Sequence, residues 1–190
     1  MAGISIEIYD HVSLPVAVGE GGDAAGPLKK AKEFYSGILG LREVGRPAEL
    51  AKSITLGAWF QIGERGSTLH LIANEDGKST FRSCKKLSSR DIHFALRIGN
   101  FLATLRFLIS KGYWLQDHRP AADVEAGDEL DLKEMRVSPE GRAGFPQIFI
   151  MDPDRNVVEL NVGHLLTDEE RTQVDDELDR LKQLSRLRQP

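Results

Sequence analysis

Apolar and polar residues alternate in several short runs of this chain, and between those runs apolar positions recur at helical spacing. Ile6 to Val18 alternates in part and predicts a strand. The glycine-rich stretch from Gly19 to Pro27 reads as a loop. In PLKKAKEFYSGILGL, the residues Leu28, Ala31, Phe34, Tyr35 and Ile38 share one helical face, with Pro27 in the first turn and Gly40 at the end. REVGRP, SITLGAWFQIG and STLHLIAN then predict three strands between Arg42 and Glu75.

The segment DGKSTFRSCKKLSSR is polar and basic, which is linker composition, and after it the same order begins again. DIHFALRI predicts a strand and FLATLRFLISKGY a helix ending at Gly112. A shorter strand is expected from Leu130 to Val137, and two more in FPQIFIMDPD and NVVELNV. The chain thus divides into a first βαβββ module (1–76), a linker (77–90), a second βαβββ module (91–165) and a C-terminal helix (166–190). In that helix Thr167 and Glu170 form a capping-box pattern, and acids precede bases as the helix dipole favours. Val174, Leu178, Leu181 and Leu184 give it one narrow stripe, suited to packing on the body of the protein or on a second subunit. Laid on each other, the modules match His11 with His93, Trp59 with Ile148 and His70 with Glu159.

Composition narrows the partners. With 25 Lys and Arg against 29 Asp and Glu among 190 residues, the net charge of -4 offers no positive field for a nucleic-acid backbone. The single cysteine excludes an internal disulfide and suits a reducing compartment. No apolar run is long enough for a bilayer, and MAGISIEIYD has neither the basic nor the apolar region of a secretory signal. The expectation is a soluble cytoplasmic protein. Cys84 has basic neighbours, but its place in linker composition argues against a reactive thiol. His118 and His164 fall outside the matched positions and read as surface residues, and the glycines at 19–26 lack the spacing of a phosphate loop.

Strand parity brings out the chemistry, because successive side chains point to opposite faces. His11 and Ser13 oppose Val12, Leu14 and Val16; His93, Ala95 and Arg97 oppose Phe94, Leu96 and Ile98. His70 opposes Leu69 and Leu71, while Glu159 and Asn161 oppose Val158, Leu160 and Val162. Each strand therefore carries one apolar face and one marked by an imidazole or a carboxylate. A lone strand histidine is more often structural than functional. Three at related places of a repeated unit, together with Glu159, point to a shared polar cavity holding one divalent ion, Zn, Ni, Mn or Fe. Two imidazoles and one carboxylate also leave coordination positions open for substrate or water.

DHVSLPV, AKEFYSGILGL, GAWFQIG with TLHLIANE, DIHFALRI and FIMDPDRNVVELN together resemble the vicinal oxygen chelate superfamily. That superfamily includes glyoxalase I, extradiol dioxygenases and the fosfomycin and bleomycin resistance proteins. The likeness runs from His11 to Asn161. It implies an α+β fold, two tandem βαβββ modules whose curved mixed sheets form one metal-binding cup, to which this chain adds its C-terminal helix. Metal ligands are implied at His11, His93 and Glu159. A fourth ligand of the glyoxalase branch, usually a glutamate that doubles as catalytic base, falls here on His70, which is either a ligand or a base beside the metal.

Glu159 and His70 are then the catalytic candidates. Arg97 would pair with an anionic part of the substrate, Asn161 would hydrogen-bond a substrate oxygen or a ligand, and Trp59 would line the pocket. Their plainer readings are a solvated strand-end charge, a polar wall and a core aromatic. The acidic stretch from Ala121 to Glu134 reads as a lid. The activity implied is that of a metal-dependent lyase or isomerase chelating a small substrate through two neighbouring oxygens. An extradiol-type dioxygenase, a resistance-type thiol transferase and a drug-binding protein are the alternatives. The resemblance also implies a homodimer, with the cup closed either by the two modules of one chain or by exchange with a second.

Overall fold

The structure is a computed structural model that describes residues 10–18, 25–46, 56–64, 66–74, 87, 92–116, 133–139 and 144–186. The chain divides into two compact units, Met1–Ser79 and Thr80–Pro190. Among the described residues no helix is long and apolar enough to cross a membrane.

Unit 1 runs β1 (His11–Ala17), α1 (Ala25–Gly37), β2 (Arg42–Val44), β3 (Gly57–Ile62) and β4 (Ser67–Asn74). The sheet order is β1-β4-β3-β2, with β1 and β4 parallel and the other pairs antiparallel. Parallel neighbours need a crossover, and the chain between β1 and β4 supplies one that includes α1. The helix buries Leu28, Ala31, Phe34 and Tyr35, the residues its spacing selects, and packs on β1, β3 and β4. Those strands bury Leu14, Val16, Ala58, Phe60, Leu69 and Leu71, which share one parity. Each large side chain so buried contributes about 1.5–3 kcal/mol, enough to hold α1 despite the polar residues between its anchors. Helix α1 starts two residues before Pro27 and is followed by Gly40 at φ +68°, a conformation that costs glycine little. Residues 6–9 of the expected first strand lie outside the described residues.

Unit 2 repeats the plan with β5 (His93–Arg97), α2 (Phe101–Ser110), β6 (Trp114–Leu115), β7 (Glu134–Ser138), β8 (Gln147–Met151), β9 (Val157–Asn161) and α3 (Asp168–Arg186). The order is β5-β9-β8-β7-β6, with β5 parallel to β9. The short strand β6 is an addition to the expected plan. It pairs parallel to β7, and backbone bonds from Trp114 to Lys133 and from Gln116 to Met135 extend the pairing. Asn100 caps α2, its Oδ1 accepting from the Ala103 amide at 2.8 Å. The DPDRN turn between β8 and β9 is tied by Asp152, whose Oδ1 accepts the amides of Asp154 (2.9 Å) and Asn156 (2.7 Å).

The capping box of α3 forms as its sequence predicts: the Glu170 amide donates to Thr167 Oγ1 at 3.2 Å, and Thr167 donates back to Glu170 Oε2 at 2.9 Å. Val174, Leu178 and Leu181 are buried, and α3 packs on α2 and β6. Glu177 joins the two helices through Arg106 at 3.4 Å, with Arg180 on its other oxygen. These three residues of the apolar stripe are thus covered by the helix's own unit, and the side chain of Leu184 lies outside the described residues.

Candidate functional site

Register assembles the first half of the candidate site. Ser13, His70 and Trp59 form one row across β1, β4 and β3, and His11, Thr68 and Gln61 form the next. This face is opposite to the one that packs on α1. The rings of His11 and His70 stack, 4.5 Å between centroids and 12° from parallel. His11 Nδ1 lies 2.7 Å from Asp10 Oδ2, and His70 Nε2 lies 2.8 Å from Thr68 Oγ1. Trp59, only 3% exposed, brings its ring within 4.8 Å of His70 and carries the Arg46 guanidinium 5.5 Å above it. Burial first, and the neighbouring His11 second, hold the His70 imidazole below its ordinary range against an opposing pull from Asp10. His70 is therefore neutral at lower pH than a free imidazole, with a lone pair to offer a metal or a proton.

The second half is built on β5, β9 and β8. Ala95, Glu159 and Phe149 share one row; Arg97, Asn161 and Gln147 flank it on one side, His93, Val157 and Met151 on the other. Glu159 is 5% exposed, yet both of its oxygens are engaged. Oε1 accepts from Gln147 Nε2 and from Asn161 Nδ2, each at 2.8 Å. Oε2 lies 3.1 Å from His93 Nε2. Carboxylate oxygens accept, and the two amide donors on Oε1 replace water that burial removes. The His93 ring meets Phe149 edge-on at 5.5 Å between centroids. Leu87, from the linker, packs with Phe149, Met151 and Val157 and makes that end of the face apolar. The Arg97 guanidinium lies over Gly163, where a Cβ would fall 2.6 Å from it.

The rows define the duplication better than the sequence does. His11 stands one row from His70, and His93 one row from Glu159, which is the expected matching. Trp59, however, corresponds to Phe149, since these two pair with His70 and Glu159. Ile148 pairs with Leu160 on the opposite face, so its match to Trp59 was one residue off. The path from Trp59 to His70 is one residue longer than that from Phe149 to Glu159, and strand parity turns a one-residue slip into a change of face. Gln147 and Thr68 were passed over in the sequence. Parity in PQIFIM already put Gln147 on the face of Phe149 and Met151, so a polar residue on an otherwise apolar face was the available signal.

Within each unit the candidate ligands come together in twos, His11 with His70 and His93 with Glu159. Among the described residues there is no group of three or more His, Cys, Asp or Glu side chains that could hold a metal ion. The donor types nevertheless suit a divalent ion. Two neighbouring ligand atoms, each about 2.1 Å from an ion, lie about 3.0–3.4 Å apart, and His93 Nε2 and Glu159 Oε2 are 3.1 Å apart. Cys84, His118 and most of the expected lid from Ala121 to Glu134 lie outside the described residues.

The fold of each unit is thus a strand, a helix and further strands, with the first and last strands parallel and imidazole or carboxylate on the free face. A structure assigned to the glyoxalase family from Bacillus anthracis shares it at TM-score 0.55 and 19% identity, covering 84% of this chain and 98% of that one. A glyoxalase/dioxygenase from Nostoc punctiforme does so at TM-score 0.53 and 18% identity, over 84% and 97%. No protein-family model matches the chain, and no curated protein matches it. The chain thus has the fold of glyoxalase-family structures. Identities this low speak for the fold alone.

Proposed function

We propose that this chain is a metal-dependent enzyme, a glyoxalase-like lyase or isomerase acting on a small substrate held through two neighbouring oxygens. One observation carries the reading: a buried carboxylate, Glu159, meets His93 Nε2 at 3.1 Å, in the rows that His70 and His11 occupy in the other unit. In this proposal His93, Glu159 and His11 are metal ligands, and His70 is a further ligand or a proton carrier. When bound, the metal supplies Lewis acidity to the substrate oxygens. The remaining work belongs to the chain. Gln147 and Asn161 hold Glu159 Oε1, so that Oε2 is the oxygen with a lone pair to give. His70, whose proton affinity burial and His11 lower, takes up or releases a proton at Nε2, where Thr68 Oγ1 is its partner. Arg97 offers charge to an anionic substrate group, Trp59 lines the His70 side, and Leu87 with Phe149 excludes water near His93.

A second reading is an extradiol-type dioxygenase. It is favoured by the bond between His70 and Thr68, which leaves two imidazoles and one carboxylate, a set that suits non-haem Fe(II). Metal analysis of protein purified without chelator separates the two. Zn or Ni with turnover of hemithioacetals supports the lyase, and Fe with cleavage of catechols supports the dioxygenase. Failure of Zn, Ni, Mn and Fe to bind, or equal binding by wild type and Glu159→Gln, overturns both. A homodimer belongs to the same proposal and is read by light scattering.

A further inference from the structure

We propose that Gln147 and Asn161 form an amide clamp on Glu159, occupying one carboxylate oxygen so that the other alone is presented as a metal ligand. The inference rests on the metal-dependent reading above and assigns Gln147 a positioning role. The two amides arrive from different strands: Gln147 on β8 and Asn161 on β9 are direct cross-strand partners, and Glu159 is two residues before Asn161 on the same face. Both donate to Oε1 at 2.8 Å, and His93 Nε2 stands 3.1 Å from Oε2.

A carboxylate oxygen has two in-plane lone pairs, and two N–H donors use both. Oε1 is thereby saturated, which disfavours its sharing an ion with Oε2. The torsion that orients a glutamate carboxylate is broad and two-fold, so packing alone would leave its plane loosely set. Two bonds to one oxygen fix that plane and aim the open lone pair of Oε2 to the side where His93 lies. The residue types agree with this role. Each amide has hydrogens to give and no charge of its own, so the clamp orients the carboxylate and leaves its negative charge available. An arginine in the place of Gln147 would neutralise it.

Mn(II) is the probe, with its dissociation constant measured by calorimetry on the full chain and the unfolding midpoint of metal-free protein measured in parallel. Gln147→Met keeps the length of the side chain and removes the donors. It is expected to weaken Mn(II) binding about 10–100-fold, the usual effect of removing a group that orients a metal ligand, with only a modest fall in the metal-free midpoint from the lost bond to Glu159. Asn161→Ala strips the other donor and carries the same comparison should Gln147→Met fold poorly. If wild type binds Mn(II), Glu159→Gln loses it and Gln147→Met binds within twofold of wild type, the clamp is wrong and the metal reading stands. If wild type binds none of Mn(II), Zn(II), Ni(II) and Fe(II), or Glu159→Gln binds them equally well, the metal reading falls and the clamp falls with it. A purely structural Gln147 would lower the metal-free midpoint and leave the dissociation constant unchanged.

Discussion

Replacing Glu159 by leucine removes the acceptor of two amide donors and the partner of His93 Nε2 at once. Asn161 Nδ2 suffers most, because the residue is only 8% exposed and has no water to turn to. An amide buried without a partner costs about 1–3 kcal/mol. Gln147 is half-buried and His93 partly exposed, so each recovers part of its bond with water, and together they add about 1–2 kcal/mol at the same scale. The leucine offsets about 1–2 kcal/mol by placing apolar surface where the charge stood. The net loss expected is about 1–3 kcal/mol, a fall of about 3–10 °C in the unfolding midpoint for a chain of this size. Circular dichroism on heating and in urea measures it. The decisive comparison is Glu159→Leu with Asn161→Leu. Removing both partners of a buried bond is far less costly than removing one, so the double variant should regain part of what the single one lost. A single variant as stable as wild type, or a double variant with no recovery, would show that these hydrogen bonds do not hold the strand face together.

Gly57→Ala should destabilise unit 1 by about 1–3 kcal/mol in urea denaturation, because its new Cβ would lie 2.6 Å from the Leu71 carbonyl oxygen and 2.9 Å from the Trp59 ring; unchanged stability would contradict that packing. Burial, and secondly Asp152, push the Tyr113 phenol up to about 12. The unfolded chain releases this proton first, near pH 10, so stability should fall between pH 10 and 12 by about 2–3 kcal/mol, and Tyr113→Phe should flatten that slope. Asp152→Ala strips the acceptor from two backbone amides and from the Asn156 side chain at 2.8 Å; it should cost about 2–4 kcal/mol and speed hydrogen exchange at the Asn156 amide, whereas protected exchange would argue against the turn.

Much of the fold was legible locally. Leu28, Ala31, Phe34 and Tyr35 on α1 and the Thr167–Glu170 cap of α3 follow from spacing and side-chain chemistry between near neighbours, which the tertiary structure had no reason to override. Alternation also told which face of each strand is aliphatic, and with it that His11, His70, His93 and Glu159 stand on the opposite one. The strand β6 was missed because two residues carry no period.

Which candidates meet is a different kind of fact. His11 stacks on His70, and Glu159 meets His93, Gln147 and Asn161, only because β1 lies beside β4 and β9 lies between β5 and β8. Residue order sets the face on which a side chain stands, through the two-residue period of a strand. The neighbour across the sheet is chosen by hydrogen-bond register and by turn lengths, and a single extra residue between Trp59 and His70 was enough to move the true counterpart of Trp59 from Ile148 to Phe149.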